Sequence, residues 1–108
     1  MPSDIILLTP RAKLFRSLSH DIRVLMNFPI TTKKERSKWY DQTKKLREKF
    51  HSKYKDIYDD FPHELEHYLD DADIRAIDEG YRIKQQAFIG EFLQVIATEI
   101  QKGRIQET

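Results

Sequence analysis

His63-Glu64-Leu65-Glu66-His67 is the string whose residue types and spacing come nearest to chemistry. On a helix, histidines four apart share one face. There both imidazoles can ligate a zinc ion while Glu64 serves as general base toward a bound water. Asp70 and Asp73 follow three and six residues after His67 and offer a carboxylate as third ligand. The same residues also suit an acidic helix start, in which Glu64 and Glu66 complement the macrodipole and both histidines are solvated. The solvated start is the expectation: no bound metal, with His63 and His67 as the candidate ligands if one is held.

The other reactive patterns fall away on spacing. The acidic cluster Asp70, Asp71, Asp73, Asp78 and Glu79 has the density of a calcium loop. Counted from Asp71, however, Arg75 takes the fifth position and Ala76 the sixth, where such a loop needs an oxygen ligand and a glycine. Ser19-His20-Asp21 are adjacent, so on a helix they point in different directions and form no relay. The chain has no cysteine, which excludes disulfides, thiolate metal sites and a cysteine nucleophile. With three glycines and four prolines there is no glycine-rich phosphate-binding motif. The expectation is a protein that is not an enzyme and carries no cofactor.

A binding role has more to draw on. The net charge of the 108 residues is only +1, yet the charges are sorted into blocks. Residues 33–55 hold ten basic and three acidic side chains, and residues 56–79 hold one basic and ten acidic. Such blocks suggest two oppositely charged faces, each able to steer a partner. Lys33, Lys34, Arg36, Lys38, Lys44, Lys45, Arg47, Lys49, Lys53 and Lys55 form a basic surface. They can contact RNA phosphates, with Trp39 or Tyr40 stacking on a base. The plainer reading is a solvated face with the aromatics in the core.

The elements that must position these residues are helical. Leu14, Phe15, Leu18, Ile22, Leu25 and Met26 recur at steps of three and four after a Thr9-Pro10 start, and Asn27 and Pro29 end that segment. Thr32 with Glu35 is a capping box for a second helix over about residues 33–59. Its apolar stripe is Trp39, Leu46, Phe50, Ile57 and Phe61, with Tyr40, Tyr54 and Tyr58 alongside. Pro62 interrupts it, and residues 63–70 form a short helical turn. A last helix is expected from Ala72 or Asp73 to about Lys102, stopped by Gly103. Its main stripe is Ile74, Ile77, Tyr81, Phe88, Phe92, Ile96 and Ile100. Ile89, Leu93, Val95 and Ala97 make a second apolar face, the mark of a helix buried from several sides. Gly80 and Gly90 inside it fit either tolerated surface positions or close approach of another helix or ligand. Residues 5–8 are the longest apolar run, far too short to span a membrane, and no secretory leader pattern is present. The chain therefore reads as one all-α domain over residues 1–108, a bundle of three long helices and a short one.

Two family resemblances attach to these residues. His63 to His67 resembles the zincin metalloprotease signature, which implies zinc-dependent hydrolysis. Pro62 stands where that family's helix is already running, and Glu66 puts a charge at a position that is packed there. The second resemblance spans most of the chain. Leu14-Phe15-Arg16 looks like the Leu-Tyr-Arg tripeptide of the LYR-motif family. Leu46-Arg47-Glu48-Lys49-Phe50 resembles its second-helix pattern of an arginine followed by a phenylalanine, and residues 74–80 look like the start of its third helix. Phe15 replaces the tyrosine, the interval from Arg16 to Phe50 is longer, and residues 56–71 look like an insertion. The resemblance implies a mitochondrial three-helix accessory subunit or assembly factor. Its setting would be a respiratory complex, the ATP synthase or iron–sulfur synthesis, with acyl carrier protein as a partner.

The combined expectation is a non-catalytic module that docks onto a larger protein complex. Leu14, Phe15, Arg16, Arg23, Lys44, Lys45, Arg47 and Phe50 are its expected contact residues. The alternatives are an RNA- or ribosome-binding basic helix and a zinc hydrolase built on His63, Glu64 and His67.

Overall fold

The computed structural model of the chain describes residues 10–101. Within them lie α1 (Pro10–Met26), α2 (Lys33–Phe50), a single 3-10 turn (Tyr58–Asp60), α3 (His63–Asp70), α4 (Ala72–Ile77) and α5 (Glu79–Gln101), with no strand. Thr9, the run at 5–8, Lys102 and Gly103 lie outside the described residues.

α1 follows its apolar period: Ala12, Phe15, Leu18, Ile22 and Leu25 are buried on one face, and Asn27 closes it by giving its side-chain amide to the Arg23 carbonyl at 3.0 Å. α2 begins at the expected capping box. The Glu35 amide donates to Thr32 Oγ1 at 3.1 Å, and the Thr32 amide donates to Glu35 Oε1 at 2.9 Å. Two of the orphan donors of the helix start are satisfied this way. Arg36 then ties down the linker, giving its guanidinium to the Ile30 and Thr31 carbonyls at 3.0 and 2.9 Å.

Two expected boundaries move. α2 ends at Phe50 rather than near residue 59, and residues 51–57 run as turns. Through this bend Tyr54 and Ile57, 0% and 1% exposed, both lie in the core. The bend also gathers Phe50, Tyr58 and Phe61 into one aromatic cluster with centroids 5.0–5.7 Å apart. The expected last helix is two helices. Asp78 leaves helical geometry (φ −122°, ψ 101°) and its Oδ1 accepts the Tyr81 amide at 2.9 Å, capping α5. Ile77, placed on the main stripe by its spacing, is consequently 88% exposed, and Ile74 is 44% exposed. α5 buries Ile89, Leu93, Ile96 and Ile100, so its core face mixes the two expected faces, while Val95 lies outside. Beyond its own helix backbone, Gly90 has no heavy atom within 4 Å of where a side chain would begin, and Gly80 has only Asp78 Oδ1 at 3.5 Å. Neither glycine marks a close approach among the described residues.

The helices pack as a bundle with four corners: α1, α2, the α3–α4 pair and α5. α1 touches α2 and α5, and the α3–α4 pair touches the same two helices across from it. The core between them joins Leu18 and Ile22 with Trp39, Leu46 and Phe50, Leu65 and Leu69, and Ile89 and Leu93. Burying each of these large side chains contributes about 1.5–3 kcal/mol. The molecule is long and thin, 50 × 27 × 22 Å, with a radius of gyration of 15.3 Å. A compact chain of this length would have about 13 Å. The elongation leaves valleys between helices. Among the described residues no helix is long and apolar enough to cross a membrane.

A directed chain of hydrogen bonds fastens the end of α2 to α1. Lys53 Nζ donates to Ser17 Oγ at 2.8 Å. Tyr54 gives its hydroxyl proton to Asp21 Oδ2 at 2.6 Å, so at the 2.9 Å contact Ser17 donates to Tyr54. Lys49 Nζ donates to the same Asp21 oxygen at 3.2 Å. Burial, reinforced by the bond to Asp21, pushes the Tyr54 hydroxyl pKa well above its ordinary range.

Candidate functional site

A sizeable opening lies between α1 and α5. Its cavity is about 570 Å3, bounded by Arg16, Ser19, His20 and Arg23 on one side and Leu93, Ile96, Ala97, Ile100 and Gln101 on the other. That volume falls within the roughly 300–1,000 Å3 of ligand-binding clefts. The α1 residues follow each other at steps of three and one, so they share a strip beside the buried Leu18–Ile22 line. Of the α5 residues, Leu93, Ile96 and Ile100 belong to its buried core face, and Ala97 and Gln101 are exposed beside them. The result is an apolar floor flanked by cationic side chains. Arg16, His20 and Arg23 are exposed, and among the described residues neither arginine forms an ion pair. Ser19 Oγ is buried and has no hydrogen-bond partner there.

The remaining expected contact residues divide. Arg23 lines the groove with Arg16, as their seven-residue spacing requires. Leu14 is half-buried against the core. Phe15 is 6% exposed, with the Arg11 guanidinium 5.4 Å from its ring centroid. Phe50 is 1% exposed within the aromatic cluster. Both phenylalanines lie in the core, because the same period that puts them on a stripe buries that stripe. Arg47 is not free either: Nη2 lies 2.5 Å from Asp70 and Nε 3.4 Å from Glu66. Lys44 and Lys45 are exposed on α2, away from the groove.

The basic and acidic blocks pair with each other at the surface of the bundle. Besides Arg47, Arg36 pairs with Asp73 at 3.2 Å, and Arg11 pairs with Asp60. Each partly exposed pair contributes about 0–1 kcal/mol, so their effect is mainly to set which face of α2 turns to the acidic helices. Lys33, Lys34, Lys38, Lys44 and Lys45 stay exposed. The aromatics expected to stack on bases are unavailable. Trp39 is 1% exposed, and Tyr40 holds the α3–α4 junction, donating to the Asp70 carbonyl at 3.1 Å and accepting the Asp73 amide at 3.2 Å.

His63 and His67 do come together, on the exposed side of α3, with their Nε2 atoms 3.1 Å apart and rings nearly perpendicular. The helix starts at His63, with Pro62 at its N-cap position. Neither Asp70 nor Asp73 supplies a third ligand: those carboxylates face Arg47 and Arg36. Among the described residues no group of three His, Cys, Asp or Glu side chains could hold a metal, whereas a hydrolytic zinc site takes three protein ligands.

One polar centre was not readable from the sequence. Arg75 is 2% exposed, its guanidinium carbon 4.0 Å from the Tyr68 ring centroid and 4.9 Å from that of Trp39. Nη1 donates to the Tyr68 carbonyl at 2.6 Å and to Gln85 Oε1 at 2.7 Å. Gln85 passes the link to Asp71 Oδ2 at 3.2 Å and Tyr81 Oη at 2.9 Å, and Tyr81 donates to Asp71. Nη2 is buried with no partner among the described residues. Desolvation lowers the Arg75 pKa, the bond to Asp71 raises that of Tyr81, and burial raises that of Tyr68. The stacked aromatics and the link to Asp71 favour the cation at this site. Arg75 joins α4 to α2, α3 and α5 and is a packing residue. An arginine within an acidic segment gives no sequence signal of burial.

No protein-family model, curated protein or solved structure matches the chain.

Proposed function

We propose that this chain is a non-catalytic accessory or assembly subunit, docked onto a larger protein complex through the groove between α1 and α5. The observation that supports it is the pairing of an apolar floor, Leu93, Ile96 and Ile100, with two arginines, Arg16 and Arg23, that have no acidic partner among the described residues. Such a surface suits an acidic partner with an exposed apolar side. The charges would set encounter rate and specificity, and the floor the residence time. The LYR-like tripeptide fits this reading at Arg16, the one residue of Leu14-Phe15-Arg16 that is exposed on the groove. On that resemblance the complex is a mitochondrial respiratory complex, the ATP synthase or the iron–sulfur machinery, and acyl carrier protein is the acidic partner.

The test is charge reversal. Arg16→Glu with Arg23→Glu should abolish co-purification of the partner at low salt, while Lys33→Glu with Lys34→Glu should leave it unchanged. The opposite pattern would move the interface to α2 and favour the RNA-backbone reading, with binding that falls steeply as salt rises.

A further inference from the structure

We propose that His63 and His67 form a bidentate site for a late first-row divalent transition metal, with Cu2+ preferred to Zn2+. This site is independent of the docking groove: it sits on α3, at the corner of the bundle opposite α1. Two imidazole nitrogens coordinating at the usual 2.0–2.1 Å and separated by the observed 3.1 Å subtend about 95–102° at the metal. That angle lies between the right angle of square-planar or octahedral sites and the tetrahedral angle, so the spacing suits either geometry once the rings turn to face the ion. Coordination by both Nε2 atoms replaces the present contact between them, with each ring's remaining proton on Nδ1.

The backbone that carries the pair is already fixed. Leu65, Tyr68 and Leu69 bury the opposite face of α3 at 1%, 2% and 0% exposure, and Pro62 sets its first turn. Both histidines are exposed and reachable from solvent. Neighbouring carboxylates do not complete a protein cage, since Glu66 and Asp70 face Arg47. The remaining positions are therefore left to water or to a ligand from outside the chain, and with two protein ligands where hydrolytic zinc has three the site is one for binding. Neutral imidazole pairs select copper, nickel and zinc over the oxygen-seeking Mg2+ and Ca2+, and the affinity order among them follows Cu2+ over Zn2+.

The experiment is calorimetric titration of the full chain with Cu2+, Zn2+ and Mg2+. It includes H63A, H67A and a His20→Ala, His51→Ala control, with helix content checked by circular dichroism. The expected result is one Cu2+ or Zn2+ per chain, Cu2+ the tighter, and no Mg2+ binding. Either single α3 variant should lose affinity by on the order of tenfold or more, and the control variant should match the wild type. Proton NMR of the wild-type histidines provides a readout that needs no variant, with only the His63 and His67 ring signals shifting at low Zn2+. Absence of binding at millimolar Zn2+ and Cu2+, or binding that survives both H63A and H67A, would overturn the proposal.

Discussion

Replacing Arg75 separates the worth of a buried cation from the worth of the space it fills. Its guanidinium is 2% exposed, stacked against Tyr68 and Trp39, and bonded to the Tyr68 carbonyl and Gln85. Arg75→Ala removes both hydrogen bonds and both ring contacts and opens a cavity. Truncating a large buried side chain to alanine costs about 2–5 kcal/mol, a large share of the roughly 5–15 kcal/mol that stabilises a domain of this size. Arg75→Met keeps most of the volume and the aromatic contact, and it removes the desolvation penalty of the charge. It leaves the Tyr68 carbonyl without its donor, worth about 1–3 kcal/mol. The methionine variant should therefore be the more stable of the two by about 2 kcal/mol. Urea unfolding at neutral pH measures both, read by the fluorescence of Trp39, the chain's only tryptophan and a wall of the site. An alanine variant within about 1 kcal/mol of wild type, or a methionine variant as damaged as the alanine one, would refute the assignment of Arg75 as a packing residue.

Gly90→Ala should raise stability by about 0.5–1 kcal/mol, seen as a higher Tm, because its side chain meets open space in the middle of α5. Asp78→Ala should cost about 1 kcal/mol in urea unfolding by stripping the cap of α5. Tyr54, Tyr68 and Tyr81 all have raised pKa values in the fold. Their contribution is therefore whole below the unfolded tyrosine value of about 10 and is lost as pH rises beyond it. Urea midpoints should fall from about pH 10 upward, and Tyr54→Phe should fall less steeply.

How far the sequence carried depended on whether local signals and burial agreed. At α1 they agreed: Phe15, Leu18, Ile22 and Leu25 recur at helical spacing and line the core. The Thr32–Glu35 box is a chemical signature complete within four residues, and it formed as read. The end of α2 was hidden because Tyr54 and Ile57 keep the helical period while the chain bends to bury both. The α4–α5 break was hidden for the same reason. Ile74, Ile77 and Tyr81 keep in step across Asp78, whose capping role shows only once the Tyr81 amide is seen to need an acceptor. Phe50 illustrates a further limit: an aromatic residue suits a core and an interface equally, and here the aromatic cluster claims it. Arg16 was readable as exposed, but the apolar floor facing it required knowing which side of α5 turns toward α1.

Native mass spectrometry at low salt tests the docking account most directly, using the chain recovered from its own cells beside the Arg16→Glu, Arg23→Glu variant. The account predicts a complex of the 13.0 kDa chain with an acidic protein partner, dissolved by the double reversal and weakened by salt. A chain that flies alone, or a complex that survives the reversal unchanged, would contradict it.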